Sequence, residues 1–325
     1  MARMMTATAT SEIDRLRGAI ARVYLGNAAA VDRVICCLLA RGHLLIEDVP
    51  GVGKTILAHA LARSIDCTFS RIQLTPDLLP SDILGVTVLE RPAGSAGVGA
   101  GAAAFKFVPG PIFANIVLAD EINRTPPRTQ AAMLEAMSEA SVTVDGVTHR
   151  LEPPFMVIAT QNPADFDGTY PLPENQLDRF LMRLSLGYPA PEDEARVLDL
   201  RPADHALAEL KPVLTGADVL ALQSRVDAVR MDRSLIDYII ALANATRRSE
   251  ELSLGLSPRG SLALAQAARA TAVLRGREYA VPEDVTDNVV AVCAHRVVPR
   301  GGPDASPGAA GAILDRILQT VESPA

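Results

Sequence analysis

Leu44-Leu45-Ile46-Glu47-Asp48-Val49-Pro50-Gly51-Val52-Gly53-Lys54-Thr55 is a short apolar run that breaks into a glycine-rich turn and ends in Gly-Lys-Thr. Backbone N–H groups of such a turn can wrap a phosphate, with a lysine neutralising the outer phosphates and a threonine hydroxyl free to hold Mg²⁺. That reading needs a strand before the turn and a helix after it. Ile56, Leu57, Ala60 and Leu61 supply the apolar stripe of the helix. The stretch therefore points to a triphosphate site. Asp48 departs from the usual order, G-x-x-x-x-G-K-[ST], because it stands at the first glycine. Close backbone approach then falls to Gly51 and Gly53.

Outward from this turn, short continuous apolar runs alternate with helical patterns, as parallel strands buried on both faces do. The runs lie at 44–46, 116–119, 155–159 and 184–186, and a helical leader at 11–40 precedes them. Residues 142–149 read as a hairpin, because Asp145-Gly146 is the pair that a two-residue turn prefers. The Gly/Ala-rich stretch at 92–104 has too little side chain to order itself and reads as a mobile loop, either functional or a tolerated insertion. Beyond Pro189-Ala190-Pro191 the pattern becomes helix after helix, at 217–229, 234–247, 258–275, 282–297 and 312–321. Pro258 and Pro282 open two of these helices, and Glu283 and Asp284 suit a first turn. The expected fold is an α/β core with a parallel sheet followed by a smaller helical domain.

The chain has 325 residues, 49% of them hydrophobic, enough for two domains with a substantial core. Its formal charge of −7 gives no general attraction to nucleic acid or anionic membrane. Cys36, Cys37, Cys67 and Cys293 lack metal-ligand spacing and read as reduced, buried cysteines. The first ten residues have no continuous apolar core, and no apolar run is long enough to span a membrane, so a cytoplasmic protein is expected.

Ile116-Val117-Leu118-Ala119-Asp120-Glu121 ends a strand in two acids, at the carboxyl edge where open α/β sheets place ligands. Asp120 would hold Mg²⁺ and Glu121 would polarise the attacking water. Alone, two such acids are more often a solvated strand end; with Gly-Lys-Thr upstream they become a candidate pair. In Ala159-Thr160-Gln161-Asn162-Pro163, Asn162 offers a neutral amide at the end of a neighbouring strand, although Asn-Pro is also a common turn opening. Arg179, in Gln176-Leu177-Asp178-Arg179-Phe180, and Arg259, after Ser257-Pro258, are candidate cations for the triphosphate. Arg183 rivals Arg179. Arg259 opposes the dipole of its helix, so it suggests a compensating anion, the ordinary alternative being a salt bridge to Glu250 or Glu251.

These segments together resemble the MoxR family of AAA+ ATPases. The resemblance rests on the phosphate loop, Ala-Asp-Glu-Ile-Asn-Arg at 119–124, Ala-Thr-Gln-Asn-Pro at 159–163, Tyr-Pro-Leu-Pro-Glu-Asn-Gln-Leu-Asp-Arg-Phe at 170–180 and Ser-Pro-Arg at 257–259. It implies a leader at 1–40, an αβα core at 41–190, a linker at 191–212 and a helical lid at 213–325. Within the core, 76–109 would be the helix-2 insert and 141–151 the pre-sensor-1 hairpin. It implies ATP and Mg²⁺ as ligands, with Gly51, Val52, Gly53, Lys54, Thr55 and Ile56 as Walker A, and Asp120 and Glu121 as Walker B. Thr55 and Asp120 would hold the metal. Asn162 would be sensor 1, Arg259 sensor 2, and Arg179 an arginine finger reaching the neighbouring subunit of a ring, hexameric by resemblance. It further implies a protein client remodelled or matured by ATP hydrolysis, with a von Willebrand factor A domain partner. A nucleic-acid motor and a slowly hydrolysing regulatory scaffold are the competing readings. The acidic balance, and Arg150 as the one basic residue at 142–150, argue against the motor.

Overall fold

The computed structural model describes residues 2–90, 104–162, 168–200, 203–301 and 308–324. Of the Gly/Ala-rich stretch at 92–104, only Ala104 lies among them. Two helices, α1 (Ala2–Ala21) and α2 (Ala28–Leu39), lead into β1 (Leu44–Glu47). The leader breaks at 22–27, where the Asn27 side chain accepts the Ala29 N–H and starts α2. After β1 come α3 (Lys54–Ser64), β2 (Phe69–Gln73), the short α4 (Pro80–Leu84), and β3 (Gly85–Glu90) with β4 (Ala104–Pro109). The core continues through β5 (Ile116–Asp120), α5 (Pro127–Glu139), β6 (Ser141–Val144), β7 (Val147–Arg150), β8 (Met156–Gln161), α6 (Glu174–Leu177) and β9 (Met182–Leu184).

Five strands form one parallel sheet in the order β2-β5-β8-β1-β9. Side chains alternate across its two faces with period two. Leu44, Ile46, Ile116, Leu118, Met156 and Ile158 pack in one apolar cluster with residues of α1, α2 and α3. Leu45, Val117, Ala119, Val157 and Ala159 pack on the other face with Met133, Leu134 and Met137 of α5. The result is an αβα sandwich. Because both faces are covered, the strands read in sequence as unbroken apolar runs.

The elements depart from the expected ones in several places. The fourth run forms β9 two residues earlier than expected, because the N–H groups of Leu186 and Gly187 turn aside to the Asp48 carboxylate. The sheet also holds β2, an edge strand with one buried residue, Ile72, and too little apolar sequence to announce itself. The segment 191–212, expected as a linker, carries α7 (Pro191–Leu200) and α8 (Ala203–Glu209).

The C-terminal part is helical apart from one small ribbon. It contains α9 (Gly216–Ala228), α10 (Arg233–Arg248), β10 (Leu252–Leu254), α11 (Pro258–Leu274), α12 (Pro282–Thr286), α13 (Val289–Cys293), β11 (Val298–Pro299) and α14 (Ala309–Thr320). The single helix expected at 282–297 is split at Asp287-Asn288, where the buried Asn288 amide donates to Thr271 Oγ1 and Asp284 O. Cys36, Cys37 and Cys293 are buried and unbridged, whereas Cys67 is half-buried. Among the described residues no helix is long and apolar enough to cross a membrane.

Candidate active site

The phosphate loop leaves β1 at the carboxyl edge of the sheet. Gly51 and Gly53 sit at φ of 86° and 87°, a left-handed conformation that favours glycine. A Cβ on Gly51 would meet nothing within 4 Å, while one on Gly53 would press on the Tyr24 ring at 3.2 Å. From Gly53 the chain enters α3, so the helix N-terminus adds its positive end to the loop. Lys54 Nζ donates to the Asp48 carbonyl oxygen at 2.6 Å. Desolvation lowers the pKa of Lys54 against the opposing pull of Asp48, Asp120 and Glu121. A cation held over backbone oxygen and facing acids is ready to receive a phosphate.

Gly51, Gly53, Lys54, Thr55 and Ile56 line one wall of a cavity of about 330 Å³, and Arg71, Asp120, Glu121, Thr160 and Asn162 line the other. The sheet register explains the second wall. Gln73 lies beside Asp120, and the β5–β8 pairing brings Thr160 level with it. Asp120 Oδ1 accepts the Thr160 hydroxyl at 2.6 Å, and its Oδ2 accepts Arg71 Nη2 at 2.6 Å. Glu121 has a left-handed backbone at φ 60°, with its N–H donated to Thr160 Oγ1 at 2.9 Å. Its Oε2 accepts Gln73 Nε2 at 3.0 Å and lies 3.4 Å from Arg124 Nε. Val52 points into an adjoining cavity instead.

Unlike Arg71, the candidate arginines Arg179, Arg183 and Arg259 do not line this cavity. Arg183 is ion-paired with Glu47 at 3.1 Å, across from Gln161, whose amide also donates to Glu47. Arg179 donates to Leu134 O at 2.6 Å and Ser138 Oγ at 3.0 Å on α5, and its buried Nε has no partner. Arg259 lies 3.8 Å from Asp178, while Glu251 pairs with Arg316. Asp178 and Arg179 precede β9, at the sheet edge opposite the phosphate loop, because β9 runs parallel to β1 with Met182 beside Leu44. At about 3.3 Å per strand residue, the length of β1 alone puts more than 10 Å between the two edges. Neither Arg179 nor Arg259 is among the residues lining the cavity.

Comparison with known proteins agrees with this arrangement. Residues 43–182 match the ATPase family associated with various cellular activities (AAA), and residues 244–317 match the AAA lid domain. The chain is 39% identical to Chaperone MoxR1 of Mycobacterium tuberculosis, over 94% of this chain and 80% of that one. The chain belongs to the MoxR family of AAA+ ATPases. It is an ATP-hydrolysing enzyme. The uncharacterized protein YeaC of Bacillus subtilis is 47% identical over 94% of this chain and 92% of its own length. The crystal structure of a candidate ATPase from Cytophaga hutchinsonii superposes with a TM-score of 0.89 at 32% identity, covering 100% of this chain and 98% of that one.

Several residues of this MoxR-family site escape a reading of motifs. Arg71 and Gln73 alternate on β2 so that both face the acids, a signal that exists only once β2 is paired with β5. Thr160 stands two residues before Asn162, which lies just beyond the end of β8, and period two could have found it. Tyr24, Gly26, Gly187, Tyr188 and Pro189 line the adjoining cavity of about 280 Å³ with Val52 and Ile56; these five come from two distant segments that belong to no motif. For a metal, Thr55 and Asp120 present oxygen donors of the kind Mg²⁺ takes. Among the described residues no group of three or more His, Cys, Asp or Glu is placed to hold an ion. The donor set therefore fits an ion that arrives with phosphate oxygens and water.

Proposed function

We propose that this chain hydrolyses ATP in the cavity between the phosphate loop and the ends of β5 and β8, and that it works as a cytoplasmic ring remodelling a protein client. The convergence of Lys54, Thr55, Asp120, Glu121 and Asn162 on one cavity carries the catalytic part. Gly51, Gly53 and Lys54 bind the phosphates, and Thr55 with Asp120 would hold Mg²⁺, which would supply positive charge to the triphosphate. Glu121 takes the proton of the attacking water, and Asn162 orients that water with a neutral amide. The adjoining cavity, lined by Tyr24, Val52, Ile56 and Pro189, receives the base. Arg179 and Arg259, at the far edge of their own sheet, serve the site of a neighbouring copy.

The client side of the reading rests on two hairpins. Phe105 is 78% exposed on the β3–β4 ribbon, beside exposed Val86, Val88 and Leu89. The His149 ring of the β6–β7 hairpin stacks on Phe107 with centroids 3.9 Å apart, and Val147 is exposed at that hairpin's tip. Lys106 on the ribbon is paired with Glu90. An apolar double ribbon with its lysine neutralised suits polypeptide better than a phosphate backbone. A von Willebrand factor A domain protein is the partner that family resemblance suggests. ATPase turnover measured with an unfolded polypeptide such as reduced casein, and with duplex DNA at two salt concentrations, tests the choice. Stimulation by polypeptide alone is expected. Stimulation by DNA that falls steeply with salt would favour the nucleic-acid motor.

A further inference from the structure

Asp48 replaces the first glycine of the phosphate loop and is the focus of four donors. Its Oδ2 accepts the N–H of Leu186 at 2.6 Å, the N–H of Gly187 at 2.8 Å and the Ser185 hydroxyl at 3.0 Å. Its Oδ1 accepts the Val49 N–H at 2.8 Å. Asp48 is 8% exposed. Burial alone would raise its pKa, yet the hydrogen bonds from Gly187, Ser185, Val49 and Leu186 hold it below the usual carboxylate range. The side chain is thus a buried, fully satisfied anion.

What it grips lies 138 residues further along, in the turn that leaves β9. Gly187, Tyr188 and Pro189 of that turn form one wall of the smaller cavity, while Tyr24 and Pro50 to Gly53 form the facing wall. The smaller cavity shares Pro50, Gly51, Gly53 and Ile56 with the phosphate cavity, so the two adjoin at the phosphate loop. A glycine at position 48 would leave the 185–187 turn without its acceptor. The spacing between the two walls would then be set only by apolar contact, which is not directional.

We propose that Asp48 is a positioning residue for the nucleotide base. Its carboxylate bolts the 185–189 turn to the phosphate loop at the spacing that lets one nucleotide occupy both cavities. This rests on the nucleotide reading of the site. The phosphate cradle proper, from Gly51 to Thr55, takes its backbone shape from the left-handed glycines and the start of α3, and the carboxylate makes no hydrogen bond to those five residues.

Asp48→Asn tests the assignment with little change of shape. However the amide is turned, its NH₂ faces a donor, either Val49 N–H or the pair from Leu186 and Gly187. Calorimetric titration of the whole chain with ADP and with inorganic tripolyphosphate separates base from phosphate. The expected result is a loss of about tenfold in ADP affinity, the scale of one broken charged hydrogen bond, with tripolyphosphate affinity within about twofold of wild type. Equal losses for both ligands, or no loss for either, overturn the proposal. If Asp48→Asn does not fold, Ser185→Ala removes one bond from an exposed position and should weaken ADP about threefold with the same sparing of tripolyphosphate. Unchanged ADP binding in that variant overturns the proposal too. Wild-type protein that binds tripolyphosphate but not ADP overturns the nucleotide reading itself, and the role of Asp48 with it.

Discussion

Glu121 sits in a left-handed backbone conformation, at φ 60° and ψ 53°, that costs a residue with a Cβ about 1 kcal/mol or more. The Thr160 hydroxyl, itself on the cavity wall, accepts its N–H, and the Gln73 amide holds its carboxylate, so the strain is maintained by its neighbours. A strained acid beside a phosphate loop suits a base that must be aimed. Glu121→Gln keeps the size and an oxygen for the Gln73 amide but removes the basic site. Steady-state ATP turnover should fall about 10² to 10⁴-fold while ATP affinity stays within about threefold, as titration would report. Near-normal turnover would mean that another group activates water. That Lys54, Thr55, Asp120, Glu121 and Asn162 share one cavity is legible in the sequence, because the first two end a glycine-rich turn before a helix and the others follow apolar strand runs. Arg71 and Gln73 are not, because their placement comes from the pairing of β2 with β5 and no motif encodes register.

At the scale of elements, the lid is fastened to the core through the approach to β9. Arg296, whose side chain is 3% exposed, donates Nε to Asp178 Oδ1 at 2.7 Å and bonds the carbonyl oxygens of Phe180, Leu181 and Val292. His295 Nε2 meets Phe180 O at 2.9 Å. Asp178 thus balances Arg296 on one oxygen and faces Arg259 with the other. Removing the carboxylate would strand a buried guanidinium, so Asp178→Ala should cost about 3 kcal/mol. Urea unfolding would record the loss as a lower midpoint, and an unchanged midpoint would show that the carbonyl oxygens suffice. Sequence patterns anticipated β1, β5, β8 and the β6–β7 hairpin to within a residue or two, because buried parallel strands and an Asp-Gly turn have strong local signatures. They missed β2, an edge strand, and misplaced β9, whose end is decided by Asp48 from the far side of the chain.

Two histidines, His43 and His295, are buried in the interior of the molecule. His43 Nδ1 accepts the Val157 N–H at 3.0 Å, which leaves the proton on Nε2, donated to Met137 O at 2.9 Å. Burial pushes its pKa down to about 4, and burial also holds His295 well below the ordinary value. The unfolded chain takes up protons near pH 6.5 that the folded chain refuses. Stability is therefore complete above pH 6.5 and declines as pH falls towards 4, by up to about 3 kcal/mol from His43 alone. Urea midpoints at pH 7 and pH 5 should differ in that direction, and equal midpoints would contradict the buried neutral state. The largest claim concerns more than one copy: a site that takes its arginine from next door. Lys54→Ala and Arg179→Ala, each inactive alone, test it when mixed and reassembled. If the arginine acts across the interface, an Arg179→Ala subunit beside a Lys54→Ala subunit forms a complete site, and random rings should recover about a quarter of wild-type ATPase activity. Activity no greater than that of the separate variants would contradict the shared site.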